Sequence, residues 1–131
     1  MQSRAPTGRP APWYLDVAQC AADLDDFEHL LAAKTHLSEQ VDILPFLREH
    51  PHLAAFLGTY AHMVNIVDRL GVEVGLFGQF VVDVVAGNRG KKSYCLIECE
   101  HGFPNSIFAN RTRHTTTWAS RYEAGISQIV D

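Results

Sequence analysis

Apolar positions follow two periods along this chain, helical first and alternating later. Leu24, Phe27, Leu30 and Leu31 fall at helical spacing. Asp23, Asp25, Asp26 and Glu28 precede or interleave them, where a helix dipole favours acids. The pattern predicts a helix over roughly residues 17–34. Ser38 caps a second helix, or Asp42 caps one over 43–49, since Pro45 interrupts the longer version. Pro51 opens a short helix whose apolar face is Leu53, Phe56 and Leu57. Residues 63–70 read equally as strand or loop, and 72–77 read as a strand.

A hairpin then spans residues 78–100, with strands at 79–86 and 93–100. Its turn, Gly87-Asn88-Arg89-Gly90-Lys91-Lys92, holds residue types that accept positive φ. A loop over 101–117, rich in Asn, Thr, Arg and His, follows, and loops of that length are often functional. The last helix starts near 118–120, with Tyr122, Ile126, Ile129 and Val130 as its stripe and Glu123 and Gln128 off it. No stop signal ends that helix, which predicts a C-terminally truncated fold. Residues 1–12, with three prolines and no apolar period, read as a loose tail.

At 131 residues the chain suits one domain with a core. The expected division is a flexible tail over 1–14 and a single domain over 15–131. Helices occupy 15–62 of that domain; the sheet and last helix occupy 63–131. The class is α/β: N-terminal helices on a small mixed β-sheet, with a C-terminal helix. Apolar residues at 47% and charged ones at 20% are an ordinary globular balance that argues against disorder. A formal charge of −4 gives no general attraction to nucleic acid, though a local basic patch still can. Cys20, Cys95 and Cys99 form no paired framework and read as reduced thiols, which predicts a cytoplasmic location. No apolar run reaches the roughly eighteen residues of a membrane helix.

Candidate chemistry lies in the hairpin. Asp83 stands between Val82 and Val84, and desolvating a carboxylate there costs several kcal/mol, roughly, unless a cation or donor meets it. On the second strand Tyr94, Leu96, Glu98 and Glu100 share one face, and Cys95, Ile97 and Cys99 the other. One hairpin thus collects three carboxylates, and a divalent metal explains them economically. Phosphodiester cleavage needs such hard oxygen ligands for Mg²⁺ or Mn²⁺. Asp83 with Glu98-Cys99-Glu100 has the layout of the PD-(D/E)xK nucleases; a solvated strand end is the bland alternative.

Basic charge gathers at Arg89, Lys91, Lys92, Arg111, Arg113 and Arg121. Contact with DNA, chiefly through Lys91, Lys92, Arg111 and Arg113, or simple solvation accounts for it equally. His50 and His52 lie near no cysteine pair, which argues against zinc. The cysteines have no adjacent base, which argues against a nucleophile. His101 adjoins the acidic strand end and reads as a surface residue, with a group that holds a substrate phosphate or a water as the alternative.

The chain resembles the Shedu family of bacterial anti-phage nucleases over about residues 24 to 131. The likeness rests on LSEQVDILPFL (37–47), HPHLAAFLG (50–58), GQFVVDVV (78–85), YCLIECEHGFPNSIF (94–108) and WASRYEAGISQIVD (118–131). It implies a restriction-endonuclease-like PD-(D/E)xK domain with Asp83 and Glu98 as Mg²⁺ (or Mn²⁺) ligands. Glu100 takes the place of the motif's lysine, Gln128 is the helix glutamine facing the site, and Glu39 is an acid from an early helix. The function so implied is metal-dependent DNA cleavage in anti-phage defence. The alternative is an inactive, truncated domain serving as an interaction or homo-oligomerisation module, and a plain structural domain is a third.

Overall fold

The computed structural model describes residues 4–60 and 64–103. In chain order they form strands β1 (Thr7–Gly8) and β2 (Ala11–Pro12), helix α1 (Val17–Ala33), and a π-helical turn, Glu39–Ile43. Helices α2 (Leu44–Glu49) and α3 (Pro51–Leu57) and a 3₁₀ turn, Gly58–Tyr60, come next. Strands β3 (Arg69–Leu76), β4 (Phe80–Asn88) and β5 (Ser93–Ile97) complete the described part. The class is α/β, three helices with a mixed five-stranded sheet. The expected C-terminal helix lies outside the described residues.

The sheet is built on β4, which pairs antiparallel with β3 on one side and β5 on the other. Its sequence explains the position. Val82 through Gly87 are all buried, which suits a strand covered on both faces. Val84 and Ala86 face the main core, where they meet Leu70 and Val72 of β3, Leu47 of α2, and Ala54 and Ala55 of α3. Cys95, Ile97 and Cys99 pack on the same core, as the alternation predicts. Gly87 has no room for a side chain, because an added Cβ would collide with the Tyr94 ring opposite it.

On β3 the alternation breaks. Glu73 has φ of 54°, a conformation that costs a non-glycine residue energy. Val72 joins the main core, while Val74 packs with Val82 and Val85 in a second cluster. A Cβ on Gly71 would lie 2.6 Å from Val74 Cγ2, so glycine is what lets Val74 turn in. The Glu73 carboxylate pairs with Arg48 of α2 at 2.5 Å.

The expected loose tail is corrected by this structure. β1 runs parallel and β2 antiparallel along β3, and the Val72 N–H donates to the Pro6 carbonyl at 2.8 Å. Ala5 is buried and donates its N–H to the Arg48 carbonyl at 2.9 Å. Main-chain pairing requires no side-chain period, so the sequence carried no sign of it. The prolines are tolerated because this is an edge, where no further strand needs their missing N–H.

α1 matches its expected span to within one residue. Asp16 caps it, accepting from the Gln19 N–H at 3.1 Å. Of the two caps weighed for the next segment, Ser38 is the one used: its Oγ accepts from the Val41 N–H at 3.3 Å. Asp42 instead returns its carboxylate to the Ser38 N–H at 2.8 Å and to Lys34 Nζ at 2.5 Å. The π turn then hands over to α2 with Pro45 near the start, where the lost donor has no partner to miss. The hairpin strands are shifted from expectation. β4 continues to Asn88, and β5 stops at Ile97. In the turn between them Asn88 Oδ1 accepts from the Lys91 N–H at 2.9 Å, and the positive φ falls on Lys92 instead of a glycine.

Asp23 is 1% exposed and its Oδ2 accepts from the Leu53 N–H at 3.1 Å. Leu53 lies in the first turn of α3, whose own N-cap, His50, makes no side-chain capping bond. A carboxylate from α1 therefore caps α3 and ties the two helices together. Asp23→Ala should lower the free energy of unfolding by about 1–3 kcal/mol, because a buried N–H is then left unmet. Asp23→Asn, which keeps an acceptor, should cost less. Urea denaturation of the three proteins checks both.

Candidate active site

Asp83 and Glu98 face each other because of hairpin register. Val84 pairs with Ile97, so the next step along both strands sets Asp83 opposite Glu98. Asp83 is 8% exposed, and its Oδ2 accepts the Cys99 N–H at 2.7 Å. That donor is available because β5 leaves the ladder after Ile97. The early end of β5 thus answers the desolvation of Asp83 with a charge-assisted hydrogen bond.

Glu98 is pushed up from 4.5 to about 7. Burial of its carboxyl is the first cause; the charge of Asp83 and a carboxyl–carboxyl hydrogen bond come next, and the charges of Glu39 and Glu100 add to it. The side chain as a whole is exposed, so the neighbouring charges are the firmer part of that account. The negative charges around Glu98 favour its protonated form, because neighbouring carboxylates cannot all ionise cheaply. The Cys99 thiol is pushed up to about 12, by burial first and then by Asp83, Glu39 and Glu98. It stays protonated at neutral pH, in keeping with the argument against a thiolate nucleophile.

Glu39 arrives from the other half of the chain. Leu37 and Gly102 form a two-way backbone bridge, each N–H to the other's carbonyl at 2.8 Å. The Glu39 N–H donates to His101 Nδ1 at 2.9 Å, and Gln40 Nε2 donates to Glu39 Oε1 at 2.9 Å. An accepting Nδ1 places the neutral imidazole's proton on Nε2. His101, read from the sequence as a surface residue, instead ties the π turn to the strand carrying the acids. Its adjacency to Glu100 was the only signal, and adjacency could not show what it would meet.

The structure brings Asp83, Glu98, Glu100 and Glu39 into one acidic neighbourhood. Among the described residues no three His, Cys, Asp or Glu side chains are gathered closely enough to hold a metal by themselves. The hard oxygen donors nevertheless suit Mg²⁺, which is commonly held by one or two carboxylates plus waters and substrate oxygens. Lys91 and Lys92 sit at the other end of the hairpin, in the turn beyond Asn88, which is itself five strand steps and so ~17 Å from Asp83. Arg111, Arg113 and Gln128 lie outside the described residues. His50 and His52 serve packing. His50 Nδ1 bonds the Phe46 carbonyl at 2.8 Å, and His52 Nδ1 accepts from the Asp16 N–H at 3.1 Å.

The family described as Shedu protein SduA, C-terminal, matches residues 36–131, well over half of the chain. The chain belongs to this family. Shedu membership suggests a role in anti-phage defence. The matched stretch contains all four acids, whereas β1, β2 and α1 precede it. No curated protein and no solved structure matches the chain. No helix among the described residues is long and apolar enough to cross a membrane.

Between pH about 4.5 and about 7 the folded chain holds a proton on Glu98 that the unfolded chain releases. The contribution to stability is full below the lower value and is lost as pH rises through the upper one. Solvent screening at an exposed side chain limits the loss to about 1 kcal/mol. Urea denaturation near pH 5 and pH 8 should show a fall in the wild type that exceeds that of Glu98→Gln by about this amount.

Proposed function

We propose that this Shedu-family chain is a metal-dependent DNA endonuclease of the restriction-endonuclease-like PD-(D/E)xK kind, acting in anti-phage defence. The observation that carries the reading is the Asp83–Glu98 pair. These are opposed carboxyls at the open end of a hairpin, one fixed by a main-chain N–H and the other still protonated near neutrality. Such a pair is costly to ionise fully unless a cation replaces the proton on Glu98.

Asp83 and Glu98 would hold Mg²⁺ or Mn²⁺. When bound, the ion supplies polarisation of the scissile phosphate and a lowered pKa for its water. The Cys99 N–H holds Asp83 in one rotamer, leaving its other oxygen as ligand. Glu98 gives up its proton as it becomes a ligand, so metal affinity rises with pH through about 7. Glu100, where the motif has lysine, cannot donate when ionised and acts as a further ligand or as the base for water. Gln128 orients the water. Lys91, Lys92, Arg111 and Arg113 meet DNA phosphates. From the turn beyond Asn88, Lys91 and Lys92 would reach backbone at least about five base pairs from the cut.

A second reading is favoured by a different observation. Leu15, Val17, Leu24 and Phe56 line an apolar groove of about 420 Å³ between α1 and α3, and Val17 is 77% exposed. Exposed apolar surface of this kind suits an inactive interaction module.

Calorimetric titration with Mn²⁺, beside a plasmid-nicking assay, separates the two. Asp83→Asn keeps an acceptor for the Cys99 N–H while removing the charge. It should abolish metal binding and cut nicking by at least ~100-fold. A wild-type chain that binds neither Mn²⁺ nor Mg²⁺ would sink the nuclease reading and leave the interaction module.

A further inference from the structure

The turn between β3 and β4 carries an aromatic residue where the backbone does not favour one. Phe77 and Gly78 are its central residues, with φ of 54° and 69°, and the Gln79 N–H donates to the Leu76 carbonyl at 3.1 Å. Two successive positive φ values mark the I′ class of turn, which suits Asn, Asp and Gly. A phenylalanine there strains the backbone, and burial does not offset the strain, because Phe77 is 93% exposed. Phe80 and Val81 beside it are 64% and 63% exposed. The tip projects apolar surface that folding does not use.

Its charge narrows what it can meet. Residues 76–81, Leu-Phe-Gly-Gln-Phe-Val, hold no charge, and the first charged residues in either direction along the chain are acids, Glu73 and Asp83. A phosphate backbone or an anionic lipid surface finds no cation in this segment. A surface that matches the tip lies on the helical side of the same molecule. The groove between α1 and α3, about 420 Å³, has Val17, Leu24 and Phe56 at its exposed rim and Cys20 and Leu53 at its buried floor. The groove is a concave apolar site and the tip a convex one. Two copies with a formal charge of −4 repel one another in general, so contact between them falls to uncharged surfaces such as these.

We infer that the Phe77 tip of one copy enters the α1–α3 groove of a second copy. The contact is heterologous, tip to groove, so every copy offers one of each. Phe77 and Phe80 bury at most ~500 Å² between them. With a similar area on the groove the total stays near ~1,000 Å², which belongs to weak, concentration-dependent interfaces. The inference goes beyond the nuclease reading and does not rest on it.

Sedimentation velocity of the full chain in EDTA tests the contact with no metal chemistry in play. The wild type should pass from monomer at ~1 μM to associated chains at ~100 μM. High salt should not reverse this, since an apolar contact is not screened. Two variants block the contact from opposite sides. Phe77→Asn places in the turn a residue that accepts positive φ, and Val17→Glu places an acid in the first turn of α1, where the helix dipole favours it. Both should unfold at no lower urea concentration than the wild type, so that lost association reports the contact and not the fold. Each alone should weaken association at least ~10-fold. Mixed one to one they should form heterodimers and nothing larger, because the tip of the Val17→Glu chain still fits the groove of the Phe77→Asn chain.

The inference is overturned if the wild type is monomeric at both concentrations, or if either variant associates as the wild type does. A mixture that stays monomeric overturns it too, because like surfaces, tip on tip or groove on groove, are then what meet. If the wild type stays monomeric and Phe77→Asn loses affinity for an oligonucleotide, the tip serves nucleic acid and not a second copy.

Discussion

A carboxylate placed in the middle of a valine strand is the constraint on which the rest of the site depends. β4 is central because its residues can be buried on both faces, and Asp83 is carried inside with them. An ionised group there needs a donor, and the structure supplies one by ending β5 at Ile97 and turning the Cys99 N–H onto Asp83. That bond fixes which way Asp83 points, while the hairpin register sets Glu98 opposite it.

The N-terminal half completes the site by two backbone bonds between Leu37 and Gly102, together with the bond from the Glu39 N–H to His101. The Leu37–Gly102 pair needs no particular side chain and the third bond needs only the imidazole, yet together they add Glu39 to the acids on the hairpin. Structural carboxylates elsewhere obey the same rule. Asp23 is as deeply buried as any polar residue described, and it too is answered by a main-chain N–H, at the start of α3. Buried acids in this chain are met by amides of segments whose own partners are missing, which is how helix starts and strand ends become useful.

Helix and hairpin periodicity were legible from the residues. α1 and α3 follow from apolar spacing with capping or proline starts, and one hairpin shared by Asp83 and Glu98 follows from its turn. Their direct opposition needed the observed register, since strands at 79–86 and 93–100 would set Asp83 against Leu96. The first residues were not legible. Their pairing to β3 uses main-chain groups that every residue has, so β1 and β2 carry no pattern to read. Glu73 was equally hidden, because its positive φ is imposed by packing around Gly71 and Val74 and not by its own preference. The roles of Gln128, Arg111 and Arg113 belong to residues outside those described.

By itself the sequence determined the local elements, the shared hairpin for Asp83 and Glu98, and the family likeness that residues 36–131 bear out. Local order is written in side-chain period, and period survives without knowledge of the fold. Tertiary structure alone decided that β5 would stop at Ile97, that Glu39 and His101 would join the acids, and that Lys91 and Lys92 would sit at the far end. Those outcomes turn on which distant backbone groups remain unpaired once the core has closed. Each amide along the chain looks alike until its neighbours in space are known.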